Sequence, residues 1–302
     1  MIKRIIDISE QAYVHMQHKQ LLIERDKKII ASIPIEDLGI VILQHPAIVI
    51  SQAVIIACQK NNVVLLFCDE QHLPYSIILP ICDANSLHTR ILQEQIKVSQ
   101  ATKKRLWKQV VQYKILEQAL TLKLLNKNSR PVEQLSKKVK TGDKENHEAQ
   151  AAKKYWRLLM GNDFRRDPSK SGTNALLNYG YTILRGMIAR AIVSSGLHPA
   201  LGLHHHNQYN GLCLADDLIE PFRPWVDYIV YKIIHSDMDI EINQETKKEL
   251  LSILSETVIW EEKTLPLMVA SHYLTALLKR AYQDNKIKLK YPSLVSREYK
   301  LL

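Results

Sequence analysis

The chain has 302 residues, a formal net charge of +10, 46% hydrophobic and 24% charged residues. This is ordinary globular composition, long enough for two domains, and it excludes a disordered or fibrous chain. No run of 18 or more apolar residues occurs, which excludes a membrane-spanning helix, and the start Met1-Ile2-Lys3-Arg4-Ile5-Ile6-Asp7 is too short and too charged for a secretory signal.

Residues 1 to about 70 read as β. Ala12 to Met16, Gln20 to Glu24, Lys28 to Ile33 and Gly39 to Leu43 are short runs of strand-forming residues, and Asp26-Lys27 suits a turn. Ser51 to Lys60 looks helical and ends at Asn61-Asn62, after which Val63 to Cys68 reads as a buried strand. Asp69 to Asp83 is turn-rich, with Pro74 and Pro80.

From about Asn85 the period changes to that of helices. Ile91 to Leu125 carries Leu106, Val110, Tyr113, Leu116, Leu120 and Leu124 at helical spacing. Val132 to Val139 is a short basic helix holding Lys137 and Lys138, and Asn146 to Met160 is an alanine-rich one. Asn174 to Ser194 is a long helix stopped by Gly196; Leu197 to Leu212 is irregular. Ala215 to Ser236 is helical, with Pro221 and Pro224 in its first turns or bending it. Lys247 to Leu254 and Leu265 to Tyr282 complete a helical domain, and the basic tail from Lys286 is expected to be mobile or docked on a partner. The fold class is therefore α+β: a small N-terminal β-strand domain (1–75), a linker (76–88), and a larger all-α C-terminal domain (89–302).

The charge is unevenly spread. Between Ile91 and Lys170 there are 19 Lys and Arg against 8 Asp and Glu, so this window exceeds the net charge of the whole chain. That is the pattern of a polyanion-binding surface, or of Lys-rich helices facing water. The cysteines Cys58, Cys68, Cys82 and Cys213 form no Cys-x-x-Cys pair and read as reduced thiols of a cytoplasmic protein.

Three segments concentrate chemistry. In Asp143-Lys144-Glu145-Asn146-His147-Glu148, Glu145 and Glu148 share a face if both are helical, although acids also favour a helix N-terminus for its dipole. His204-His205-His206 lie in the irregular segment, where at least one imidazole must meet a polar space. Asp217 and Glu220 are again three apart, and Asp216 or Asp217 could instead cap the helix. Two carboxylates and an imidazole from two helices and a loop suit Mg²⁺ or Mn²⁺ and leave open positions for water and substrate. A phosphodiester fits such a metal, and Lys153, Lys154, Arg157, Arg165 and Arg166 lie close in sequence to hold its backbone. Trp107, Tyr155 and Trp156 could stack on bases or, more commonly, fill the core.

At His147-Glu148-Ala149-Gln150-Ala151-Ala152-Lys153-Lys154-Tyr155-Trp156, Asn174-Ala175-Leu176-Leu177-Asn178-Tyr179-Gly180-Tyr181, Gly196 to His205, and Leu214-Ala215-Asp216-Asp217-Leu218-Ile219-Glu220-Pro221-Phe222-Arg223-Pro224, the chain resembles the universal integrase of CRISPR adaptation, in its type II branch. The resemblance implies Glu148, His205 and Glu220 as metal ligands and catalytic residues. Asp217 and His204 follow as supporting or alternate ligands, and Asn178 and Tyr179 as residues near the active site. It implies an N-terminal β and a C-terminal helical domain, a homodimer, and a small ferredoxin-like partner; the RNA-guided effector nuclease is a further expected associate. The implied reaction joins the 3′-hydroxyl of a double-stranded spacer precursor to the CRISPR repeat by transesterification. A metal-dependent nuclease on branched or repair DNA, and a non-catalytic DNA-bridging scaffold, are the alternatives.

Overall fold

The computed structural model describes residues 3–70, 73–81 and 85–294. Cys82 and part of the expected linker lie outside them. The N-terminal part holds β1 (Arg4–Ile8), β2 (Tyr13–Gln17), β3 (Gln20–Arg25), β4 (Lys28–Pro34), β5 (Leu38–Leu43), β6 (Val49–Ile50), α1 (Gln52–Lys60), β7 (Val64–Cys68) and β8 (Pro74–Ile78). They form two four-stranded sheets, in the orders β4-β3-β2-β6 and β1-β5-β7-β8. Both residues of the β3–β4 turn, Asp26 and Lys27, have positive φ (47° and 61°), the geometry of a tight hairpin whose twist matches its strands.

Residues of a strand alternate between faces, and β5 and β7 use this to serve two cores. Leu38, Val41, Leu43, Val63 and Leu65 pack with the other sheet and with Val54 and Cys58 of α1. Ile40, Ile42, Val64 and Leu66 join the core of the helical part. Two-sided burial explains why β5 and β7 read as continuous apolar runs. Strands β1 and β8 escaped the sequence reading; Pro74 is tolerated because it opens an edge strand.

The helical part holds α2 (His88–Ile96), α3 (Gln100–Leu124), α4 (Arg130–Ser136), α5 (His147–Met160), α6 (Thr173–Ser194), α7 (Cys213–Ile219), α8 (Arg223–Ile234), α9 (Gln244–Ser252) and α10 (Leu267–Gln283). The expected single helix from Ile91 is broken between α2 and α3, where Ser99 caps α3 by accepting from the Thr102 N–H (3.1 Å). The expected apolar stripe of α3 holds at Leu106 and Val110, which are buried, and then drifts out of phase. Leu116 is exposed, Tyr113, Leu120 and Leu124 are only partly covered, and the buried row runs through Trp107, Val111, Ile115, Gln118 and Leu122.

This part is mostly helical but not wholly so. Strands β9 (Thr257–Trp260), β10 (Lys263–Pro266) and β11 (Ser293–Leu294) form a small sheet in the order β10-β9-β11. The tail from Lys286 to Leu294 is consequently docked on its own chain: β11 pairs with β9, and the buried Leu289 donates its N–H to Gln109 Oε1 (2.7 Å).

Candidate functional site

The site is assembled around α3. Lys114 lies two turns after Trp107 and faces the same way. Its ammonium contacts Glu148 Oε1 at 2.6 Å and Glu220 Oε2 at 2.5 Å. Burial alone would lower the Lys114 pKa; the carboxylates of Glu220 and Glu148 outweigh it and hold the amine above its ordinary value.

Glu148 is fixed by the start of α5. Asp143 accepts from the N–H groups of His147 (2.9 Å) and Glu148 (3.0 Å), and Asn146 from that of Ala149 (3.3 Å). Asp143 and Asn146 both have positive φ (47° and 53°), which short polar side chains tolerate. Glu145 lies before this cap and pairs with Lys140, so the expected shared face of Glu145 and Glu148 does not form.

Glu220 opens the single 3₁₀ turn between α7 and α8, with Pro221 in that turn and Pro224 in the first turn of α8. It is 5% exposed, and Arg223 Nε lies 3.1 Å from its Oε1. Burial would raise its pKa, but Arg223 and Lys114 hold it below the usual carboxylate range. Its Oε2, though against the Lys114 ammonium, receives no well-formed hydrogen bond.

The histidine loop hangs on Asp217, which is fully buried. One oxygen accepts from the N–H groups of Leu203 (2.6 Å) and His204 (3.0 Å); the other accepts from the N–H of His205 (3.2 Å) and lies 2.6 Å from His205 Nδ1. A carboxylate at Nδ1 makes that nitrogen the donor and leaves Nε2 as the free, ligating one. The Asp217 bond raises the His205 pKa, whereas burial lowers that of His204. Both imidazoles rest on Trp107: His204 stacks on it (4.4 Å, 4°) and His205 meets it edge-on (5.9 Å, 81°). His206 points into solvent, next to His204. Gly202 permits the turn, because an added Cβ would fall 2.4 Å from the His205 carbonyl oxygen and 2.8 Å from Asp217 Oδ2.

Glu148 and Glu220 thus meet at Lys114, and His204 and His205 meet at Asp217 and Trp107. Asn178 is not among them. It accepts from Arg166 (2.5 Å) and donates to the Pro168 carbonyl (2.7 Å), tying the segment before α6 to that helix. Tyr179 points away, towards Gln44 of the β part (3.5 Å). The two are adjacent on α6 and so about 100° apart, and only one can face the carboxylates' side.

Of the basic residues, Lys137, Lys138, Lys153, Lys154, Arg157 and Arg165 are exposed, and α4 packs beside α5. Arg166 is engaged by Asn174 (2.9 Å) as well as Asn178, and it shares the Tyr181 ring with Arg223 (5.4 and 4.7 Å). A line of guanidinium groups therefore leads from the α5 surface to Glu220. Trp107 and Tyr155 are core residues rather than base-stacking platforms, and Trp156 is half-buried against Tyr155 and Phe164. Sequence reasoning passed over Lys114, whose signal was a lysine set among apolar α3 residues.

Among the described residues, no three His, Cys, Asp or Glu side chains converge closely enough to hold a metal ion as they stand. The donors nevertheless fit one. The Lys114 ammonium already stands as a cation between two carboxylates, in the place a metal ion would take.

The model of the family "CRISPR associated protein Cas1" matches residues 6–258. The CRISPR-associated endonuclease Cas1 of Neisseria meningitidis serogroup C is 31% identical over 99% of each chain. Two solved structures share the fold. One is a casposase bound to integration product (TM-score 0.78, 20% identity, 96% of this chain and 93% of that one). The other is a Cas6-RT-Cas1–Cas2 complex (TM-score 0.75, 17% identity, 95% of this chain and 36% of that one). With a family model spanning most of the sequence and a relative 31% identical from end to end, the chain belongs to the CRISPR-associated Cas1 family.

Proposed function

We propose that this chain is the integrase of CRISPR adaptation, joining the 3′-hydroxyl ends of double-stranded spacer-precursor DNA to the CRISPR repeat. The observation that carries this reading is the meeting of Glu148 and Glu220 on one cation beside His205, whose Nδ1 is held by Asp217. Glu148, Glu220 and His205 Nε2 would hold Mg²⁺ or Mn²⁺, which polarises a phosphodiester oxygen and neutralises charge in the transition state. The chain's own residues do the rest. Asp217 fixes the imidazole, Trp107 packs against it edge-on, and Lys114 bridges the two carboxylates and helps hold Glu220 ionised. Arg166, Arg223 and the exposed bases of α5 position phosphates without reading sequence.

The likeness to a structure that holds Cas1 with Cas2 supports a small ferredoxin-like partner, and the family supports a homodimer. A cytoplasmic setting and the effector nuclease as a further associate belong to the same reading. Among the described residues no helix is long and apolar enough to cross a membrane.

Strand transfer tests the proposal. Labelled duplex with 3′-hydroxyl ends is mixed with repeat-bearing plasmid, the small partner, the protein and Mn²⁺. Label should join the plasmid with wild type and fall at least ~10³-fold with Glu148→Ala, which still binds DNA. Nicking without label transfer would favour hydrolysis, the activity in the name of the Neisseria relative.

A further inference from the structure

A cavity of about 450 Å³ lies between the β part and α10, and none of its lining residues belongs to the carboxylate site. Arg190 of α6 reaches into it. The residue is 5% exposed, its Nε donates to the Asn62 carbonyl (2.6 Å), and its Nη1 lies 3.0 Å from His272 Nε2. Among the described residues no carboxylate pairs with it, and its side-chain hydrogen-bond partners, a carbonyl and an imidazole, are neutral. A charge in that position costs several kcal/mol unless an anion meets it. Burial and the neighbouring Arg190 push the His272 pKa down to about 4, so the imidazole is neutral.

Lys3 brings a second cation. Its side chain crosses Gly39, where an added Cβ would fall 2.9 Å from Lys3 Cβ and 2.6 Å from Met268 Cε, so the close approach of β5 fixes its course. Lys3 donates to the Glu36 carbonyl; burial and Arg190 lower its pKa, against the Asp37 and Glu36 carboxylates, which raise it. The remaining wall is apolar, with Pro266, Met268 and Val269, and ends at Tyr273, which is 43% exposed and stacked on Trp260 (6.0 Å, 25°). Two cations at one end of an apolar cleft, and at the other a partly exposed aromatic ring with the Lys263 ammonium 5.9 Å from its centroid, suit a phosphate carried on a flat body.

We propose that this cavity binds an organic phosphate, with the phosphate on Arg190 and Lys3 and the flat body along Val269 and Tyr273. A free nucleotide and the terminal phosphate of a DNA strand both present that chemistry. The test is calorimetry on the full chain with deoxyadenosine monophosphate and with deoxyadenosine. Ser255→Glu sets a carboxylate in the lining at an exposed position, and Ala276→Trp fills the cavity; Glu148→Ala serves as a control at the other site. The nucleotide should bind one to one and the nucleoside at least about ten-fold more weakly. Ser255→Glu should weaken the nucleotide by about ten-fold, Ala276→Trp should abolish it, and Glu148→Ala should leave it unchanged, with Ser255→Glu and Ala276→Trp melting like the wild type. A 5′-phosphorylated single strand that displaces the nucleotide better than its 5′-hydroxyl twin would assign the site to DNA ends; equal displacement would assign it to free nucleotide. Absence of saturable binding, or equal binding by Ser255→Glu and Ala276→Trp, overturns the proposal.

Discussion

Glu220 and Asp227 are seven residues apart, and both are buried. Glu220 meets Lys114 and Arg223 and stays ionised. Asp227 meets two phenols: it accepts from Tyr155 (2.9 Å) and from Tyr181, and burial pushes its pKa up to about 7 although those hydroxyls and Arg223 pull the other way. Hydroxyl donors stabilise a carboxylate less than a direct cation does. The same α8 region thus offers one carboxylate poised to hold a cation and one that titrates near neutrality. Position in the fold does not separate them; the partner does.

Removing the partner is the most severe test. Lys114→Met leaves Glu220 and Glu148 facing each other without a cation, which should cost about 3–5 kcal/mol of stability in metal-free buffer. Mn²⁺ should restore most of it, because the ion replaces the ammonium. Urea midpoints with and without Mn²⁺ measure both effects, and a loss that metal does not recover would separate the carboxylates from any metal role.

Asp227→Asn probes the other carboxylate. The folded pKa of about 7 lies above the ordinary value of 3.8, so the folded state binds the extra proton between these limits. Stability from this group is therefore full below about pH 4 and is lost as pH rises to about 7, by up to about 4 kcal/mol at 1.36 kcal/mol per unit. The difference in unfolding free energy between wild type and Asp227→Asn should fall over that window and then level; a flat difference would show that Asp227 titrates normally.

The smallest expected change is geometric. Gly202→Ala forces the histidine loop off Asp217. Strand transfer should drop about 10²-fold, as for a misplacement of about 1 Å, with about 1–3 kcal/mol of stability lost to overpacking. Unchanged transfer would mean that the Asp217-held loop does not position His205.

Much of this was legible in the sequence, for identifiable reasons. Strands β3, β5 and β7 and helices α5 and α6 show strong single periods or long apolar runs. The carboxylates and His205 stood out because acids and imidazoles clustered near helix starts and in an irregular loop. Lys114 was hidden by the same rule that found α3. Polar residues occupy the later part of its buried row, since Gln118 is buried and Thr121 donates to the Pro224 carbonyl (3.3 Å), so apolar spacing that holds at Leu106 and Val110 loses the phase beyond them. Glu145 looked equivalent to Glu148 because spacing cannot reveal that Asn146 caps the helix between them. The β9–β10–β11 sheet was missed because β11 is two residues long and pairs with a strand more than thirty residues earlier.

The most direct test of the central claim is binding of Mn²⁺, followed by its spin-resonance signal, to wild type, Glu220→Gln, His205→Ala and Asp227→Asn. One saturable site in wild type and Asp227→Asn, weakened at least ~10-fold in the other two, is the predicted result. Equal binding by all four proteins would contradict it.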